Sequence, residues 1–134
     1  MIDPNFKTKV RKIFNKYKIL LLIPHYWKIH IKIDGRLTIY AYVVYNYPKK
    51  QFDISINPKL NSDLNVLKDS ILHELIHIFL TPNTFQFDRF LQKIENKEDI
   101  NIKNIKRKLL SYEERLVSKL AKIIIKQEKV TDDS

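Results

Sequence analysis

His73-Glu74-Leu75-Ile76-His77 lies inside the strongly apolar stretch 66–80, and how that stretch is read decides the fold. Ile71, Leu72, Leu75, Ile76, Ile78, Phe79 and Leu80 surround the polar triplet. A run apolar on nearly every side reads as a helix packed within a domain. Residues four apart share a helix face, so His73 and His77 can close on one ion. Glu74 sits between them and can reach a water held there. Two imidazoles on a metal with a carboxylate as general base is the arrangement a zinc-dependent peptide hydrolase needs. The competing reading is a packed helix whose two histidines bond to backbone. Burying two histidines and a glutamate is costly unless something pairs with them, and a metal supplies that pairing.

Outward from this helix the pattern changes period. Asn61, Ser62 and Asp63 are capping residues that start it at about residue 62, and Thr81-Pro82-Asn83 reads as its end. Upstream, Phe52, Ile54 and Ile56 alternate with Asp53, Ser55 and Asn57, giving a strand that stops at Pro58. Residues 37–47 form a β-branched and aromatic run, a second strand. Trp27, Ile29, Ile31 and Ile33 alternate with Lys28, His30 and Lys32, a third strand with one wet face. Asp34-Gly35, the only glycine, predicts a two-residue hairpin between strands 27–33 and 37–47, and Pro48-Lys49-Lys50 a turn. Asp3-Pro4 opens an amphipathic helix over 4–18 carried by Val10, Ile13, Phe14 and Tyr17.

Downstream, Phe85, Phe87, Phe90, Leu91 and Ile94 suggest a short helix, and the polar stretch 95–108 a loop or lid. Residues 109–126 read as a final helix with Leu110, Leu116, Val117, Leu120, Ala121 and Ile124 as its buried stripe. The tail 131–134 is expected to fray. The expected architecture is α+β: a small antiparallel or mixed three-stranded sheet packed against an N-terminal helix, the buried H-E-x-x-H helix and a C-terminal helix. At 134 residues the chain is expected to form a single domain, 1–134.

Composition narrows the chemistry. The chain has no cysteine, which excludes disulfides and thiolate ligands, so a metal must be held by His, Asp or Glu. The opening MIDPNFKTKVRKIF does not have the form of a signal peptide. The apolar run 19–24 is too short to span a bilayer, so an intracellular, cytoplasmic setting without a membrane is expected. The net charge is +10. One reading is a nucleic-acid surface made by Lys7, Lys9, Arg11, Lys12, Lys16 and Lys18 on helix 4–18 and by Lys103, Lys106, Arg107 and Lys108. The other is a compositional bias that enriches Lys, Ile and Asn together.

A catalytic zinc site usually takes three protein ligands. No histidine follows His77, and His25 and His30 lie upstream near or on the first strand. A later carboxylate is the better candidate, and Glu113 and Glu114 open the expected final helix. Glu114 shares a face with Val117 and Ala121, Glu113 with Leu116, Val117 and Leu120, so spacing alone does not choose. Acidic residues at a helix start are also favoured by the macrodipole without any metal. Asp88, Glu95, Glu98 and Asp99 are lesser candidates. Tyr112 and His30 are candidates to stabilise an oxyanion.

The segment Asp53-Ile54-Ser55-Ile56-Asn57-Pro58, then Leu67, Ile71 and His73-Glu74-Leu75-Ile76-His77, resembles the strand-then-helix core of SprT-like proteins among the minimal zincin (HExxH) metallopeptidases. The later Glu114-Arg115-Leu116-Val117-Ser118-Lys119-Leu120-Ala121 departs from them, since SprT-like proteins take a third histidine there. It is similar to the glutamate-bearing helix of gluzincin-type proteins, including the ImmA/IrrE-like group and small metallopeptidases of phages and mobile elements. That resemblance implies a minimal zincin core, a Zn2+ cofactor and a glutamate followed three residues later by an aliphatic residue, which favours Glu114 over Glu113. It covers about residues 52–80 and 112–125. No helix-turn-helix or zinc ribbon accompanies these segments, so the substrates of either relative do not carry over. The expected activity is hydrolysis of a protein or peptide substrate with Glu74 as general base. A DNA-associated protease and a non-enzymatic basic binding module are the alternatives.

Overall fold

The computed structural model describes residues 3–95 and 102–132. Glu98 and Asp99, and tail residues 133–134, lie outside them. The described residues form an α+β fold in the order α1 (Phe6–Leu20), β1 (Lys28–Ile33), β2 (Ala41–Asn46), β3 (Gln51–Ile56), α2 (Leu64–Glu95) and α3 (Ile102–Asp132).

α1 buries Phe6, Val10, Ile13, Phe14 and Tyr17, the stripe its spacing predicts, and lays it against α2. The Tyr17 hydroxyl donates to Glu128 Oε2 at 2.8 Å and Lys16 Nζ lies 3.0 Å from Glu128 Oε1, which ties α1 to the far end of α3.

The sheet corrects the expected hairpin at Asp34-Gly35. The strand order is β1-β3-β2, with β1 parallel to β3 and β2 antiparallel to it. β3 takes the centre because it is the most buried strand: Phe52, Ile54 and Ile56 are each at most 1% exposed. The register sets Ile29, Phe52 and Tyr45 in one row, Ile31, Ile54 and Val43 in the next, and Ile33, Ile56 and Ala41 in the third. These rows form the apolar face, which meets α2. Gly35 does not adopt a positive φ, so the glycine is not used for the primed turn a hairpin would require. Residues 34–40 instead pass over the end of β3. Asn57 N donates to Tyr40 O (3.0 Å), and Asn57 Nδ2 to Leu37 O (2.7 Å). Buried Asn61 Nδ2 donates to Tyr40 O (2.9 Å) and Asn57 O (2.7 Å), and its Oδ1 accepts from Ser70 Oγ at 2.6 Å. The crossing is thereby fastened to α2 one turn before His73.

α2 starts as the capping residues predict: Asp63 Oδ1 accepts from the backbone N of Asn65 and Val66 at 2.9 and 3.2 Å. Its end differs from the expectation. Thr81-Pro82-Asn83 does not stop the helix, which runs 32 residues with Pro82 inside it. A proline has no N–H for the carbonyl four residues back, here that of Ile78. The Thr81 hydroxyl fills that role, donating to Ile78 O at 2.6 Å in a site where Thr81 is 2% exposed. Thr81→Val keeps the shape and removes the donor, leaving the buried carbonyl unsatisfied. Its expected cost is about 1–3 kcal/mol in chemical denaturation. An unchanged midpoint would show that the carbonyl finds another partner.

The expected lid over 95–108 is also corrected over its described part. Residues 102–108 are the first turns of α3, because Ile102, Ile105 and Leu109 repeat at helical spacing beneath the basic run. Thr131 and Asp132, expected to fray, still belong to α3. α3 packs along α2 and buries Val117 and Ala121, with Leu120 and Ile124 partly buried. Leu110 and Leu116, expected in that stripe, are 61% and 48% exposed. The helix touches its neighbours through a narrower strip than an apolar count implies. No helix among the described residues is long and apolar enough to cross a membrane.

Candidate metal centre

α2 and α3 bring the sequence candidates together. The rings of His73 and His77, one turn apart on α2, have centroids 4.9 Å apart. Both turn Nε2 to the same carboxylate on α3. His73 Nε2 lies 3.1 Å from Glu114 Oε2, and His77 Nε2 lies 2.8 Å from Glu114 Oε1. Ligand atoms of His73, His77 and Glu114 all fall within 4.8 Å of one another, the spacing one small cation can bridge. Two imidazoles and a carboxylate suit zinc, so the residues present fit that ion.

Glu113 and Glu114 are not alternatives for one position. Glu113 Oε2 meets the other ring nitrogen, His77 Nδ1, at 3.0 Å. Its second oxygen accepts from Thr84 Oγ1 at 2.8 Å. The macrodipole explanation for the acidic pair does not hold, because α3 begins at Ile102 and both residues lie in its interior.

Glu74 is 7% exposed. Burial pushes its carboxyl up to about 7, the nearby His77 ring pulls it back, and the Glu114 charge adds to the rise. A carboxyl poised near neutrality is matched to taking and returning a proton at physiological pH. For His77, burial acts downward. The hydrogen bond to Glu113, with the charges of Glu114, Glu74 and Glu113, outweighs it and holds the ring above its ordinary range. The same His77 bond holds Glu113 below the usual carboxylate range against its burial, with help from Thr84.

The centre opens into a cleft of about 1000 Å³ between β2, α2 and α3. Tyr42 and Tyr45 of β2 line it, and so do Ser118 and Lys122 of α3. On the cleft side β2 has no strand partner among the described residues. Burial, then Glu113 and Asp88, raise the Tyr45 hydroxyl, so it stays protonated and able to donate. Tyr45 was missed from the sequence, where it is one of several tyrosines in an apolar strand; the expected hairpin at Asp34-Gly35 put that strand in the middle of the sheet, and only the observed order puts it at an edge.

Several candidates are not brought to the centre. Exposed His30 shares the outer row of the sheet with Asp53 and Val44, on the face turned away from α2. Tyr112 is 61% exposed, with Arg115 over its ring, and does not line the cleft. Neither is placed to meet an oxyanion. His25, Asp88 and Glu95 are exposed and outside the cluster. Compared with protein-family models, curated proteins and solved structures, the chain matches none.

Proposed function

We propose that this chain is a zinc-dependent peptide hydrolase of the gluzincin type, acting inside the cell, in the cytoplasm. The observation that carries the reading is the convergence of two Nε2 atoms, one from each histidine, on the Glu114 carboxylate, with Glu74 buried beside them. His73, His77 and Glu114 would hold the ion, which supplies Lewis acidity to a peptide carbonyl and to a nearby water. Glu74 takes the proton of that water and delivers it to the leaving amine. Tyr45 offers its proton to the developing oxyanion from the cleft wall. The free edge of β2 pairs with an extended peptide through its backbone, and the cleft accepts the side chains.

Elemental analysis of purified protein tests the centre. Wild type is expected to carry roughly one zinc per chain, and His73→Ala and Glu114→Ala to lose it. Retention of zinc by Glu114→Ala would remove Glu114 from the ligand set. A second reading is favoured by the exposed Lys7, Arg11 and Lys12 of α1 and Lys103, Arg107 and Lys108 of α3. In it these faces hold nucleic acid near the centre, and salt-dependent retention on DNA separates it from a plain protease. Zinc-free wild type with no activity would leave a basic binding module.

A further inference from the structure

We infer that Glu113 is a positioning residue for the metal centre: it fixes the tautomer and ring orientation of His77 from behind, and Thr84 fixes Glu113 in turn. This rests on the metal reading above and assigns a role the ligand set does not contain.

A neutral imidazole has one N–H and one lone pair. For His77 Nε2 to offer its lone pair, Nδ1 must carry the hydrogen, and something must accept it. Glu113 Oε2 lies 3.0 Å from Nδ1. Nδ1 and Nε2 point to opposite sides of the ring, so a carboxylate held at Nδ1 is placed to orient the histidine and not to share the ion. The bond needs a partly sheltered carboxylate, and the Glu113 side chain is 23% exposed while that of Glu114 is 58%. Adjacent residues on α3 thus face different parts of the same ring.

Thr84 completes the arrangement. Its hydroxyl has one proton and two acceptors within reach, Leu80 O at 3.2 Å and Glu113 Oε1 at 2.8 Å. The shorter contact is to the carboxylate. Thr84 occupies that position only because α2 continues past Pro82. Had the helix stopped there, Glu113 would have no second anchor. The two histidines are therefore unequal. His77 is backed by a carboxylate, and among the described residues the one polar side-chain partner of His73 is Glu114 at Nε2.

The test is zinc affinity of the full chain, measured by competition with a chromogenic chelator using zinc alone. Glu113→Ala is expected to weaken zinc about 10- to 100-fold, and Glu113→Gln by less, since its amide oxygen still accepts from Nδ1–H. Long-range proton–nitrogen spectra of the zinc-loaded protein should show the Nδ1–H form of His77 in wild type, and an Nδ1–H signal shifted in Glu113→Ala. Wild-type affinity in Glu113→Ala overturns the inference and leaves the metal centre standing. Loss of zinc as complete as in His77→Ala also overturns it, because Glu113 would then be a ligand. Failure of wild type to bind zinc removes the metal reading itself. If Glu113→Ala does not fold, Thr84→Val takes its place, with a several-fold weakening expected and unchanged affinity as the overturning result.

Discussion

Glu74→Gln is expected to lower peptide hydrolysis about 10²- to 10⁴-fold while zinc remains bound, the range a positioned general base contributes. The side chain keeps its volume and still accepts a hydrogen bond, but it cannot take a proton. The expected loss is in kcat, because in the proposed mechanism Glu74 acts on the water and makes no ligand bond. A cognate peptide is needed for this measurement, and activity at the parental rate would remove Glu74 from the mechanism. Zinc measured in the same samples separates loss of the base from loss of the metal.

The same substitution has an opposite effect on stability. In metal-free protein, burial raises Glu74 from an ordinary value of 4.5 to about 7. The unfolded chain ionises this group near its ordinary value, whereas the folded chain holds the proton until near neutrality. Below the lower value both states are protonated and the group contributes nothing. As pH rises between the two values, folding is progressively disfavoured, and above about 7 the full penalty applies. The difference corresponds to roughly 3 kcal/mol. Metal-free Glu74→Gln should therefore exceed the parent in stability at pH 8 and match it near pH 4, with the gap opening between. Denaturation at those two values, comparing variant with parent, checks the sign. A variant less stable than the parent at pH 8 would mean that ionised Glu74 is well paired in the fold.

The centre was legible where local rules suffice. Helical spacing placed His73 and His77 on one face, and the shortage of downstream histidines directed the third position to a carboxylate. Spacing alone could not separate Glu113 from Glu114, because both sit on apolar-flanked faces and their choice depends on how α3 is rotated against α2; only the resemblance favoured Glu114. The structure gives each a different nitrogen of His77. The strands were legible from period-two alternation, and their order was not. Asp34-Gly35 carries a hairpin signal that is overridden by a pairing between distant segments, with Asn57 and Asn61 holding the crossing. Thr81-Pro82 misled for a local reason: proline was read as a stop, and the hydroxyl beside it supplies the missing donor. The polar composition of 102–108 hid Ile102 and Ile105, which continue the helical spacing of Leu109 backwards.

The crossing of residues 34–40 over β3 also bears on how the chain assembles. β2 and β3 are joined by a turn closed by Lys50 N to Tyr47 O at 2.9 Å, so their ladder closes a short loop. β1 must find β3 across the 34–40 crossing, β2 and the turn that follows it, and that closure carries a larger entropy loss. The wall of the cleft thus belongs to the half of the sheet with the shorter loop to close, and the parallel strand is expected to dock afterwards. A chain paused before β1 docks would leave one hydrogen-bonding edge of β3 unpaired, the moment at which pairing with a second copy competes with native folding.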